Sequence, residues 1–356
     1  MSTLSHSVVN LVAYGGSYLW ILVRAALRGE TLGTVFMNVG LFGSAQVCIQ
    51  GLASSLSELY QNTIYLEDYL RLCEITPEIE EDVHGVPLKG PVLSIAFENV
   101  SFSYPGSKRC ALRNASFELD NGEMVYFVGG NGAGKSTAIK LLLRLYNVDS
   151  GRITINGRDI RDYSVARLRS ELGALMRDFM HYHLSIRENV VVGDLSKADN
   201  GMLIEEALGV AGLKGKVRSL PMDVDTYVGR AFEEGEDLSI GEWQKLGLAR
   251  VALRSAPVVI LDEPTSALDA KMEESIFEYF RDGCGRDLTI VVSHRLSGAR
   301  YADKIVAFDD GRVVAIGKHE ELIRTDNVYT RLFRTQQKRY LGAATLPLEA
   351  MEGTGA

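Results

Sequence analysis

The sequence predicts an α/β domain preceded by an all-α hairpin of two helices apolar enough to cross a bilayer. Three observations predict it. Near the start, Val8 to Val23 and Val35 to Ser57 hold no charged residue. From about residue 92, short apolar runs of strand length alternate with stretches at helical spacing, the pattern of an α/β layer structure. Within that region Gly129-Gly130-Asn131-Gly132-Ala133-Gly134-Lys135-Ser136-Thr137 fits G-x-x-x-x-G-K-[ST]. The strand-like run Met124 to Val128 precedes it and the helical pattern Ala138 to Leu145 follows, the context this phosphate-binding P-loop needs.

The two uncharged stretches come first in the chain. With its flanks each reaches across about 30 Å of hydrocarbon as a helix; a buried soluble hairpin is the alternative that hydropathy leaves open. The polar link Arg28 to Thr34 makes them antiparallel, and Tyr18 and Trp20 lie near one end, where interfacial aromatics are common. The second stretch carries Asn38, Gln46 and Gln50, which suits a helix packed in a bundle or lining a cavity. From Ser57 to Cys73 apolar residues continue at helical spacing among charged ones. One long helix is therefore expected to leave the membrane and run into the cytosol, ending at Thr76-Pro77. Glu78 to Gly90 reads as a charged linker.

Strands are expected over Ile95 to Tyr104 and Cys110 to Leu119, with the turn Asp120-Asn121-Gly122 before the P-loop strand. Gly151 to Ile155 is a further strand, followed by the Asn156-Gly157 turn. Leu172 to Met176 is another. The region from Arg177 to about Arg254 is mostly helical. Strands return at Val258 to Leu261, Leu288 to Val292 and Lys304 to Phe308, and Asp309-Asp310-Gly311 turns into Arg312 to Ile316. Residues 341–356 lack periodicity and are expected to be disordered.

Bulk properties narrow the function. At 356 residues there is room for about two domains. The net charge of −8 and pI near 5.4 argue against nucleic acid as the main partner, which calls for a basic face. Cys48, Cys73, Cys110 and Cys284 lack metal-ligand spacing and read as reduced, structural residues. The first apolar run lacks a basic flank and a small-residue cleavage site, so no secretory signal is expected in it.

The P-loop predicts a nucleoside triphosphate. Its glycines let backbone N–H groups surround phosphate oxygens, and the following helix turns its positive end to the same anion. Lys135 reaches the terminal phosphates and the Ser136 hydroxyl is placed to ligate Mg²⁺. Val258-Val259-Ile260-Leu261-Asp262-Glu263 is a buried-type strand delivering two carboxylates. Asp262 would hold Mg²⁺ and Glu263 would act as general base on the attacking water.

Leu238-Ser239-Ile240-Gly241-Glu242-Trp243-Gln244 opens a helix with Ser239 as N-cap. Here the chain resembles the ATP-binding cassette (ABC) family, whose signature is L-S-G-G-Q or L-S-G-G-E. Gly129 to Ser136, Leu238 to Glu242, Asp262-Glu263, Ser266 to Asp269 and His294 match that family's main elements in order. The resemblance implies a P-loop NTPase cassette with an antiparallel β-subdomain and a helical subdomain over about residues 92–340. It makes residues 1–75 the last two membrane helices of an exporter subunit and 76–91 a linker.

The resemblance also implies a mechanism. Two cassettes, alike or different, meet head to tail and hydrolyse ATP to ADP and phosphate. Ser239 and Gly241 close on the γ-phosphate from across the interface, Asp269 links the two sites, His294 contacts the γ-phosphate and Tyr104 stacks on adenine. The expected partners are ATP, a second subunit and the lipid bilayer, with the cassette in the cytoplasm beneath the plasma (inner) membrane. An exporter subunit of this type carries six membrane helices and this chain begins near the fifth. A fragment, a decayed gene or a split gene with a separately encoded segment is therefore expected. Two other readings remain: a non-transport ABC ATPase and a binding-only cassette.

Two positions depart from the family pattern. Arg177 stands where Gln is usual, in Met176-Arg177-Asp178-Phe179, and a guanidinium has donors only and cannot ligate a cation. Slower hydrolysis than in Arg177→Gln is expected. Ile240 replaces the first signature glycine, which is acceptable at negative φ.

Overall fold

The computed structural model describes residues 2–79, 85–88, 90–229, 235–282 and 287–344. Cys284, part of the expected linker and residues 345–356 lie outside these. The chain divides into two compact units, Met1–Pro77 and Glu78–Ala356.

The first unit is a helical hairpin, α1 Ser2–Arg28 and α2 Leu32–Glu74. Thr31 caps α2, its hydroxyl accepting from Thr34 N at 3.4 Å. Gln50 Nε2 donates to Tyr14 Oη at 2.6 Å, and Tyr18 meets Phe42 edge-on at 5.7 Å, so the helices run side by side in opposite directions. At 43 residues α2 is about 65 Å long, twice the thickness of a hydrocarbon core. It is one unbroken helix, as the apolar-then-amphipathic pattern predicts. It buries no side chain, and Phe36, Leu41, Val47, Ile49 and Leu52 stand exposed. Among the described residues it is the one helix long and apolar enough to cross a membrane, by length and composition.

The second unit runs β1 Ser94–Ser103, β2 Cys110–Asp120, β3 Glu123–Gly129, α3 Lys135–Leu142, β4 Ser150–Ile155, β5 Arg158–Asp159, α4 Val165–Ser170, β6 Leu172–Leu175 and α5 Ile186–Val191. It continues through α6 Gly201–Val210, α7 Lys214–Val217, α8 Ile240–Arg254, β7 Val258–Asp262, α9 Ala270–Asp282, β8 Leu288–Val292, β9 Lys304–Asp309, β10 Arg312–Gly317, α10 His319–Leu322 and α11 Val328–Ala344. Two sheets result. One is antiparallel, ordered β2-β1-β4-β5; the other is ordered β10-β9-β3-β8-β7-β6 and is parallel except for the β9–β10 hairpin.

The parallel strands of the large sheet are buried on both faces, which is why they read as continuous apolar runs. Alternation along each strand feeds two cores. Met124, Tyr126, Val128, Val259, Leu261 and Val291 pack toward the core that holds α5, α6 and α8. Val125, Phe127, Val258, Ile260 and Ile290 pack toward the core shared with α3 and the antiparallel sheet. Phe117 of β2 joins them, stacked on Phe97 at 4.3 Å and edge-on to Phe127.

Three expectations are corrected. The helix after the P-loop spans 135–142 rather than 138–145: Gly134, in the left-handed region, starts it without a side-chain cap, and Arg144 at φ 49° stops it. The two-residue strand β5, too short to show a period, extends the antiparallel sheet. Residues 341–344, expected to be disordered, complete the last turn of α11.

Candidate functional site: a phosphate cavity at the carboxyl edge of the parallel sheet

The parallel register sets where the site lies. Phe127 of β3 and Asp262 of β7 both pair with Val292 of β8, so the three strands end level and their following residues converge. A cavity of about 360 Å³ opens there, lined by Tyr104, Asn131 to Thr137, Arg177, Glu263 and His294 among others.

The loop after β3 has little steric choice. Gly134 has φ +106°, and a Cβ there would lie 2.7 Å from Leu112 Cδ2 and 2.9 Å from the Ala111 carbonyl. Strand β2 packs so closely on the loop that only glycine fits. Lys135 is buried and folds back over the loop, donating to Gly129 O at 2.8 Å and Gly130 O at 2.9 Å. Burial holds its ammonium below the ordinary lysine value, against the pull of Asp262 and Glu263.

The two acids after β7 sit in different environments. Asp262 is buried beneath the cavity, and burial raises its carboxyl while the hydrogen bond from Ser136 lowers it. The Ser136 hydroxyl and the Asp262 carboxylate form an adjacent pair of hard oxygen donors, a set that suits Mg²⁺. Among the described residues there is no cluster of His, Cys, Asp and Glu of the transition-metal kind.

Glu263 is held from four sides. Its backbone adopts φ 55°, a left-handed conformation that costs a non-glycine residue about 1–3 kcal/mol. Its N–H donates to Val292 O at 2.7 Å and its carbonyl accepts from Gln244 Nε2 at 2.6 Å. His294 Nε2 lies 2.9 Å from Oε1, and Arg177 Nε lies 3.7 Å from Oε2. Burial, then the Lys135 charge, pushes the His294 imidazole below its ordinary value. At neutral pH it is therefore uncharged, and the 2.9 Å bond requires the tautomer that carries its proton on Nε2.

Tyr104 follows β1 at the cavity wall. Its ring meets Tyr146 edge-on at 5.3 Å and its hydroxyl lies 3.2 Å from Thr137 Oγ1. It therefore both packs and faces the cavity. Ser239, Gly241 and Asp269 do not line the cavity. Ser239 caps α8: its N–H and Oγ both donate to Glu242 Oε2 at 2.8 Å, and Glu242 N donates back to Ser239 Oγ. Ile240 is 79% exposed at the helix tip. Asp269 accepts from Met272 N at 2.8 Å at the start of α9.

Two residues escaped the sequence reading. Gln244 ties α8 to the acidic strand end, with Nε2 on Glu263 O and Oε1 accepting from Ala267 N at 2.9 Å. It sits within the signature stretch, so its spacing was visible though its bond was not. Gln336 of α11 holds the His294 turn from behind: Nε2 donates to His294 O and Oε1 accepts from Leu296 N at 3.0 Å. No signal marks a glutamine on the surface of a helix 42 residues downstream.

Residues 112–266 match the family model described as ABC transporter. The subtilin transport ATP-binding protein SpaT of Bacillus subtilis is 34% identical over 89% of this chain and 52% of its own length. The ATP-dependent lipid A-core flippase of Photobacterium profundum is 34% identical over 87% and 52%. Among solved structures, a bacterial Atm1-family ABC exporter with ATP bound is 33% identical with a TM-score of 0.70, covering 78% of this chain and 48% of that one. The chain thus spans about half the length of the curated relatives it matches. The two-sheet cassette with its helical part, the P-loop cavity at the strand ends and these likenesses together carry one conclusion: the chain belongs to the ATP-binding cassette transporter family.

Proposed function

We propose that the chain is the ATP-binding and ATP-hydrolysing part of an ABC exporter. In this reading residues 1–75 contribute two membrane helices, 76–91 link them to the cassette, and 92–340 bind and hydrolyse ATP. The observation that carries it is one cavity lined by Lys135, Ser136, Glu263 and His294, with Asp262 bonded to Ser136 beneath it.

Lys135 and the loop amides bind the β- and γ-phosphates, and Tyr104 offers a ring for the base. Mg²⁺ held by Ser136 and Asp262 would neutralise phosphate charge and polarise the γ-phosphoryl group. Glu263 Oε1 takes a proton from water, and the neutral His294 keeps that carboxylate oriented. Ser239, Gly241 and Asp269 serve a second cassette, which is why they lie away from this chain's own cavity. That partner is a second ABC subunit, identical or different. Cassette closure and opening would then drive export of a lipid, peptide or drug-like molecule. The exposed apolar side chains of α2 support placement in a membrane; in this reading it is the plasma (inner) membrane, with the cassette in the cytoplasm.

The test is ATP turnover of the full chain in detergent against Glu263→Gln. Loss of a general base predicts a fall of about 10²- to 10⁴-fold with ATP binding kept. Equal turnover in the two proteins would remove Glu263 from the chemistry. Absence of turnover in the unsubstituted chain alongside tight ATP binding would favour the binding-only reading.

A further inference from the structure

We propose that Arg177 takes over part of the charge neutralisation that a divalent cation gives this cavity, so that the cassette binds ATP with only weak dependence on Mg²⁺. The inference rests on the reading of the cavity as an ATP site.

Glu263 lines the space where phosphates would lie, and the buried Asp262 carboxylate lies beneath it beside Ser136 and Lys135. Both carboxylates repel a triphosphate, and bound Mg²⁺ is the usual remedy for such a wall. Glu263 cannot swing away to relieve the repulsion. Its backbone is pinned at φ 55° between Val292 and Gln244, and one carboxylate oxygen is bonded to His294. Its other oxygen faces Arg177 Nε at 3.7 Å. The guanidinium is a permanent charge within the cavity lining.

The asymmetry of this pair matters. Glu263 is 14% exposed and fixed, whereas Arg177 is 69% exposed on a flexible stem. An ion pair between two exposed, mobile groups contributes little. Here one partner is already immobile, and the other can share its fork between Glu263 and a phosphate oxygen, a geometry guanidinium favours. An amide at this position would offer an oxygen able to ligate a cation; Arg177 has donors only. Compared with an amide, the guanidinium offers no cation ligand and adds a positive charge. Both changes raise metal-free affinity relative to metal-bound affinity.

The test uses the full chain in detergent and the non-hydrolysable β,γ-imido analogue of ATP, with dissociation constants measured in excess Mg²⁺ and in excess EDTA. The unsubstituted chain should lose less than about threefold on metal removal. Arg177→Gln should lose about tenfold more than that, chiefly through weaker binding in EDTA, a difference of about 1.4 kcal/mol. Arg177→Lys, which keeps the charge, should recover part of the difference, and thermal melting checks that each variant is folded. A ratio between the two conditions that is the same in the unsubstituted chain and in Arg177→Gln overturns the proposal and makes the Glu263 contact a surface ion pair only. Failure of the unsubstituted chain to bind the analogue even with Mg²⁺ overturns the ATP-site reading instead.

Discussion

Removing the amide of Gln336 tests whether α11 positions His294. Gln336 bridges two backbone groups of one turn, donating to His294 O and accepting from Leu296 N at 3.0 Å. Met keeps the volume and loses both bonds. Each is worth about 1 kcal/mol net in a partly buried setting, so Gln336→Met should lower stability by about 2 kcal/mol in urea denaturation. If about half of that loosening reaches His294, its bond to Glu263 is misplaced by about 1 kcal/mol, and kcat for ATP falls about fivefold. KM should stay the same, because no atom of Gln336 lines the cavity. Gln336→Glu is the discriminating control. It keeps an acceptor for Leu296 N but sets a carboxylate against the His294 carbonyl, and should be at least as damaging as Met. A Met variant within about 0.3 kcal/mol of the unsubstituted chain, with unchanged kcat, would show the bridge to be incidental.

Other perturbations read other parts of the site. Gly134→Ala puts a Cβ at φ +106° and 2.7 Å from Leu112; strain plus overpacking should cost about 2–5 kcal/mol and abolish ATP binding, both measurable in one denaturation series with and without nucleotide. His181 stacks on Trp243 at 4.3 Å, and burial, then the Arg250 charge, holds its imidazole below the ordinary value. The unfolded chain therefore takes up the proton first as pH falls through about 6.5, so this contribution to stability is full above that pH and lost below it. His181→Phe, which keeps the ring, should lose less melting temperature between neutral and mildly acid pH than the unsubstituted chain; an equal loss would exclude His181 as the source. Glu242→Gln replaces the charged acceptor of the Ser239 hydroxyl by a neutral one. In a Glu263→Gln background it should raise the ATP-dependent dimer fraction a few-fold by light scattering, and an unchanged or smaller fraction would count against Ser239 as a phosphate ligand.

The parts of this molecule legible in its sequence are those written by local chemistry. The P-loop is visible because Gly134 must be glycine for two reasons at once, phosphate approach and the pressure of β2. The run Val258 to Asp262 is visible because a strand buried on both faces shows no polar alternation. The length of α2 is visible because the apolar stretch passes into an amphipathic one with no Pro in it and no Gly after Gly51. What depends on tertiary geometry stays hidden. The order β10-β9-β3-β8-β7-β6 places β3 between strands more than 150 residues distant, and no short-range signal encodes that. Arg177 stood out as a residue type, but its direction did not. Only the fold shows that its Nε comes within 3.7 Å of Glu263 while most of the side chain stays exposed.

One physical pattern connects these residues. Several polar groups read as touching nucleotide already hold hydrogen bonds or ion pairs inside the chain. Lys135 donates to the Gly129 and Gly130 carbonyls, Ser136 to Asp262, Ser239 to Glu242, and Glu263 is shared by His294 and Arg177. Buried groups left without partners would cost about 1–3 kcal/mol each, so these internal bonds keep the loop in its binding shape. Phosphate entry is therefore an exchange of partners, and the net gain is the difference between the bond formed and the bond given up. It follows that affinity responds to the internal partner as well as to the ligating group. Glu242 and Arg177 are such partners, and each can be altered while the P-loop itself is left intact.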